Sequence, residues 1–470
     1  MSVSQIFHRR TELGLLVLSA FFVSAMLINL ELSQGNTLTS ELAWVIGGFV
    51  VIFLAAHCVL CFVAPHADQI MLPVTATLNG LGLVMIYRID EANGTSLVTR
   101  QVQWTFVGVV LLVLVLVFLR EYRSLSRYSY LLGLVGLALL ALPLVWPQPA
   151  DAEARIWITF GPFSLQPGEF SKILLLLFFA QLLVNKRALF TVAGYRVLGL
   201  SFPRLRDLAP ILAVWAIAIL IMAGTNDFGP ALLLFATVLG MLYLATGRVS
   251  WLFIGVVLVA LGGTGVYMIS AKIQDRVSNF LDPFSTYDSS GFQLANSLFG
   301  MSWGGLTGTG IGQGHPDIIP VVWTDFILAA VGEEMGLVGL SGVLVLFALL
   351  VTRGFRTALL ARDSYGKLVA SGLSLTIAIQ VFVVVAGISA LMPMTGLTTP
   401  FMSAGGSSLM ANYMLLGILL RISDAARRPA AAPADSTDGS AGLSPVGGAE
   451  GRTPEGGEGT GYMPAVGKVN

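Results

Sequence analysis

"SWLFIGVVLVALGGTGVYMIS", residues 250–270, has no charged side chain from end to end. It is followed at once by "AKIQDRVSNFLDPFSTYDSSGFQ", residues 271–293, which carries Lys272, Asp275, Arg276, Asp282 and Asp288. As a helix, the first stretch is long enough to cross roughly 30 Å of hydrocarbon. The second is polar and rich in turn formers. The same alternation runs along the chain, whose 470 residues are 55% hydrophobic and only 11% charged, with a mean hydropathy of +0.82. A soluble domain would carry roughly 25% charge. Lipid offers no partner to a bare backbone, so helices that satisfy their own hydrogen bonds are the expected solution. The fold class is therefore an all-α polytopic membrane protein. Twelve spans are expected, near residues 12–31, 43–64, 70–87, 103–119, 128–146, 169–185, 208–224, 229–246, 250–270, 325–352, 367–391 and 404–420.

Basic residues orient these spans. With the N-terminus cytoplasmic, eighteen lysines and arginines fall on that side and six on the other; the remaining two of the 26 lie near the C-terminus. The positive-inside rule then places both termini in the cytoplasm. Three segments face outward: residues 149–172, the large loop near 271–324, and 391–408. Residues 429–470 are rich in Ala, Pro, Gly and Ser and read as a disordered cytoplasmic tail. The apolar stretch at 12–32 shows no convincing cleavage site and reads as an uncleaved first helix. Cys58 and Cys61 are the only cysteines. They form half of a zinc pattern, but no second pair exists, and small thiols suit an apolar helix.

Several acids and cations fall on the outward side. The large loop runs into "FGMSWGGLTGTGIGQGHPD", residues 299–317, whose glycines follow no strand. A nucleotide fold is thereby excluded, and a close-approaching or re-entrant backbone fits better. Asp227 and Asp325 are expected at the interface, where ionisation is cheap. Glu333 and Glu334 fall about two turns into a predicted helix, where a carboxylate needs a partner or a cavity. "QPGEFSK", residues 166–172, spaces Glu169 and Lys172 as an intrahelical ion pair. That pair is either a local salt bridge or a cation held ready for an anionic headgroup, with Arg155 and Arg276 on the same side. An outward acid can act as a general base, and cations can neutralise a diphosphate. Transporters also gather such acids, so residue chemistry leaves an enzyme and a transporter both open.

Five ordered elements carry a resemblance. They are "LNGLGLVMIYR" at 78–88, "ARIWITFGPFSLQPGEFSK" at 154–172, the loop from Phe280 to Gly314, "VVWTDFILAAVGEEMG" at 321–336 and "PMTGLTTPFMSAGGSSL" at 393–409. Together they resemble the SEDS family of shape, elongation, division and sporulation proteins over about residues 70–421. Two departures from its pattern stand out: Gly168 replaces a serine and Val322 a glutamate. The resemblance implies a ten-helix core at 70–421, preceded by an extra helix pair within residues 1–69. It implies a peptidoglycan glycosyltransferase that polymerises lipid II into β-1,4 glycan at the outer face, beside a class B penicillin-binding protein. An elongation role in an actinobacterium is favoured over division; a lipid II flippase and a non-catalytic scaffold are the alternatives. Carried over, the catalytic base is Asp288, just before the Gly291–Phe292–Gln293 element, with Asp282 the alternative. Arg155, Glu169, Lys172, Arg276, Gln293 and Arg88 are the implied substrate-binding residues, Glu169 by orienting Lys172. A divalent cation, magnesium or manganese, is compatible with diphosphate chemistry, although the sequence holds no ligand cluster that demands one.

Overall fold

The computed structural model describes residues 9–147, 155–161, 163–191, 195–197, 200–202 and 205–429. Apart from Pro429, the expected tail lies outside them. The chain forms α1 (Arg10–Ser33), α2 (Ser40–Val63), α3 (Met71–Asn93), α4 (Leu97–Phe118), α5 (Ser129–Val145), α6 (Pro167–Thr191), α7 (Leu205–Gly224), α8 (Phe228–Thr246) and α9 (Ser250–Ile269). After the short α10 (Ala271–Leu281), α11 (Phe292–Gly304) and α12 (Ile327–Glu334) come α13 (Gly336–Leu360), α14 (Ser364–Ile388) and α15 (Gly406–Arg427). Among the described residues, two hairpins of three-residue strands stand between the helices: Ile158–Phe160 with Phe163–Leu165, and Tyr195–Val197 with Leu200–Phe202.

Among the described residues, ten helices are long and apolar enough to cross a membrane. The shorter α5 and the 20-residue α7 occupy the two other expected positions. This is a multi-pass membrane protein. Burial sorts the helices. The most apolar 18-residue stretch of α3 is 89% buried and that of α15 83%, against 6% for α9, so α3 and α15 are central and α9 is peripheral. Lipid tails are as apolar as leucine, so polar side chains help hold such a centre together. Asn79 on α3 donates to Phe401 O at 3.0 Å, and Gln101 on α4 donates to Ser403 O at 3.1 Å.

The expected tenth span, 325–352, needs correction. The chain breaks at Met335–Gly336, and the span is α13, Gly336–Leu360. Gly336 adopts φ +64°, and a Cβ there would collide with Leu306 O and Gly308 N. The opened first turn of α13 is satisfied by the glycine-rich loop: Leu337 N donates to Gly305 O and Val338 N to Leu306 O, at 2.9 and 3.0 Å. Glu333 and Glu334 therefore end a separate, wholly buried eight-residue helix. Hydropathy averaged along a window cannot register this break, because α12 and α13 are both apolar.

The N-terminal pair, α1 and α2, is tied together and to the connector that leads into α3 by a buried charge cluster. Arg9 is fully buried and donates to Glu12, to Ala64 O at 3.0 Å and to Ala67 O at 2.9 Å. Glu12 also meets His57 Nδ1 at 2.7 Å. The cysteines are free thiols, with Cys61 Sγ 3.6 Å from His57 Nε2.

Candidate active site

The charged loop begins where α9 ends. Its first element, α10, is a short amphipathic helix bearing Lys272 and Arg276. Arg276 Nη1 donates to Thr395 O at 3.1 Å, which brings the 271–324 loop against the "PMTG" element. At the end of α10, Asp282 makes a turn: its Oδ1 accepts the backbone N–H of Phe284 at 3.2 Å and of Ser285 at 3.1 Å. Aspartate followed by proline favours such turns, and this carboxylate is occupied by its own backbone.

Asp288 differs. It is exposed, as Asp282 is, but makes no hydrogen bond or ion pair with any described residue. Its loop is nonetheless ordered from below by aromatic packing: Phe284 on Phe299 at 5.4 Å and Tyr287 on Phe292 at 5.2 Å between ring centroids. Gly291 closes the loop where a Cβ would strike Pro283 O and Thr286 Oγ1. Two residues on, Gln293 donates to Pro320 O at 2.7 Å, so its amide nitrogen ties the loop to the chain before α12.

The start of α6 reaches the same 393–398 segment that Arg276 contacts. Lys172 Nζ meets Glu169 Oε2 at 2.6 Å, as the three-residue spacing predicts, and Gln380 Oε1 at 3.3 Å. Gln380 in turn donates to Thr398 O at 2.7 Å. Lys172 has three N–H donors; two have partners here. Gln380 was legible only as one polar residue inside the apolar run "SLTIAIQVFVVVAG". Arg155 joins the same corner through its backbone, N–H to Thr225 O at 3.0 Å, with an exposed side chain.

Asp227, between α7 and α8, feels Glu169, Lys272 and Arg276. Burial, followed by the like charge of Glu169, pushes its carboxyl up to about 6. Burial also raises Asp325, against a bond from Thr324 Oγ1 at 2.8 Å and the pull of Arg276. The low-cost interfacial setting expected for these two acids is thus not what surrounds them. Both feel Arg276, and Asp227 feels Glu169 as well, which only tertiary packing could arrange.

Arg88 is not brought to this corner. Its Nε meets Glu334 Oε1 at 3.1 Å and its Nη2 donates to Gly314 O at 2.9 Å. Glu333 Oε1 accepts the His315 N–H at 2.6 Å, and Glu334 Oε2 accepts that of Gly312 at 3.2 Å. Both glutamates therefore hold the glycine-rich loop. Among the described residues, no group of three or more His, Cys, Asp or Glu could hold a metal ion.

An apolar cavity of about 410 Å³ opens next to Arg276 and Thr395. Phe228, Phe235, Val259, Val266 and Ile273 are among the residues that line it. The fold and this corner define a multi-pass membrane protein whose acids and cations gather beside an apolar groove. A family model described as FTSW_RODA_SPOVE, cell cycle protein, matches residues 68–428. The chain belongs to this family. It is 48% identical to the peptidoglycan glycosyltransferase RodA of Mycobacterium tuberculosis, over 90% of this chain and 92% of that protein. It is 33% identical to stage V sporulation protein E of Bacillus subtilis, over 76% of this chain and 96% of that one. Two solved structures are similar. One is described as structural coordination of polymerization and crosslinking by a peptidoglycan synthase complex. It has a TM-score of 0.62 and 28% identity, covering 77% of this chain and 99% of that one. The other, the rod shape determining protein RodA of Thermus thermophilus, has a TM-score of 0.53 and 25% identity, covering 77% and 98%.

Proposed function

We propose that this peptidoglycan glycosyltransferase polymerises lipid II at the outer face of the cytoplasmic membrane, with Asp288 as its base. The observation that carries the assignment is the contrast on one loop: both carboxylates are exposed, but that of Asp282 is bonded to its own turn, whereas that of Asp288 has no hydrogen-bond or ion-pair partner among the described residues. Asp288 takes the proton from the acceptor sugar's 4-hydroxyl. The oxygen then attacks the anomeric carbon of the lipid-linked donor from the face opposite the diphosphate. The bond from that carbon to the diphosphate oxygen breaks, undecaprenyl diphosphate leaves with the electron pair, and inversion gives the β-1,4 linkage. Negative charge grows on the leaving group, so cations fixed beforehand stabilise the transition state. Lys172 has a donor to spare for it, Arg155 is exposed, and Arg276 sits at the mouth of the apolar groove. That groove suits the first isoprene units of the lipid. Glu169 holds Lys172 in place, and Gln293 holds the loop rather than the substrate.

The charge distribution favours cytoplasmic termini, and the helix pair before residue 70 is an addition to a ten-helix core. The likeness to a synthase complex that couples polymerization to crosslinking supports a class B penicillin-binding protein as partner. The likeness to RodA supports elongation. A transporter relaying protons through Glu333 and Glu334 finds less support, because backbone N–H groups already bond both acids. The test is polymerisation of purified lipid II by the detergent-solubilised protein with its partner. Asp288→Ala should lose at least ~100-fold in rate, the usual contribution of a general base, while Asp282→Ala keeps most of it. Wild-type turnover by Asp288→Ala would remove the assignment.

A further inference from the structure

Asp288 has no hydrogen-bond or ion-pair partner among the described residues, so something else must fix where it stands. The loop around it is clamped by one side chain from the preceding helix. Asn279, in the last turn of α10, uses both ends of its amide. Its Oδ1 accepts the hydroxyl of Thr286 at 2.8 Å and that of Ser290 at 3.0 Å, and its Nδ2 donates to Ser290 O at 2.9 Å. The two anchored residues stand two positions either side of Asp288. The loop closes beneath them through Ser289 N and Gly291 N, which donate to Thr286 O at 3.0 and 2.9 Å. Arg276 lies three residues before Asn279, so both side chains occupy neighbouring positions on one face of α10. A single short helix thus carries a cation for the leaving group and the clamp on the base.

We propose that Asn279 is a positioning residue for glycosyl transfer, holding Asp288 at a set distance from the substrate bound at Arg276. The inference rests on the reading of Asp288 as the base. The chemistry calls for an amide of this length. Aspartate would keep the acceptor and lose the donor to Ser290 O; alanine would lose all three bonds. Two of the three are exposed and the Thr286 bond is only part-buried, so losing them should cost little stability. Their consequence is geometric, and misplacing a reacting group by about 1 Å can cost ~100-fold in rate.

The test uses the full-length protein with its partner, and compares Asn279→Ala, Thr286→Val, Ser290→Ala and Asp288→Ala in lipid II polymerisation. Asn279→Ala should lower kcat by about 10- to 100-fold and leave KM for lipid II within about threefold, since binding groups are untouched. Thr286→Val and Ser290→Ala each remove one hydroxyl bond and should give smaller losses of kcat, again with KM held. They also report on the clamp should Asn279→Ala fail to fold. Wild-type kcat in all three clamp variants, with Asp288→Ala inactive, would overturn the inference and leave the base assignment standing. A fall in kcat matched by an equal rise in KM would also overturn it, because that pattern marks lost binding. Wild-type turnover by Asp288→Ala would instead remove the reading on which the inference rests.

Discussion

Two charged clusters in this protein are built to opposite specifications. In the N-terminal pair, Arg9, Glu12 and His57 are fully buried, and the guanidinium finds partners in Glu12 and in the carbonyls of Ala64, Pro65, Ala67 and Asp68. At the candidate site, Asp288 has no partner among the described residues, Lys172 retains an unused donor, and Asp227 and Asp325 are held in settings that disfavour their charge. Leaving a buried charge without its partner is strongly destabilising. A charge that is to meet a substrate must keep something unpaired. The difference teaches that saturation, more than burial, separates the structural acids here from the candidates for chemistry.

Three experiments would break or sharpen that contrast. The largest effect is expected in the saturated cluster. Glu12→Ala strands the Arg9 guanidinium in the interior and should cost on the order of 3–5 kcal/mol. It would be seen as a large drop in melting temperature, with turnover per folded molecule unchanged. An unaltered melting curve would mean that saturation there is incidental. Next comes the Arg88–Glu334 pair, which resembles the saturated cluster despite standing in a loop-bearing region. A double-mutant cycle of Arg88→Met and Glu334→Gln should show a coupling of about 1–3 kcal/mol in stability, with KM for lipid II little changed. A KM effect confined to Arg88→Met would return that arginine to the substrate.

The smallest effect is expected at Asp227. Its carboxyl is raised from 3.8 to about 6, so between those values the folded state binds more protons than the unfolded one. Stability therefore falls as pH rises through this window. Asp227→Asn removes the penalty: it should melt higher than wild type above pH 6, by on the order of 1 kcal/mol, and match it below about pH 4. Equal melting curves across the range would place Asp227 among the saturated groups.

Local information carried much of this structure. Long uncharged runs dictated membrane helices, because a backbone in lipid has no other way to satisfy its hydrogen bonds. The three-residue spacing predicted the Glu169–Lys172 pair, and the aspartate–proline step at Asp282 favours the turn found there. Each is a relation among near neighbours in the chain, and composition and spacing record it directly. What tertiary structure alone decided lies between distant residues. Lys172 meets Gln380 across 208 positions and Arg276 meets Thr395 across 119. The apolar run before residue 352 breaks at Gly336 because the backbone of Leu306 and Gly308 fills the space a side chain would need. Asp227 is raised because packing gathers Glu169 and apolar surface around it. No window along the sequence contains such pairs, because side-chain packing, and not local propensity, brings them together.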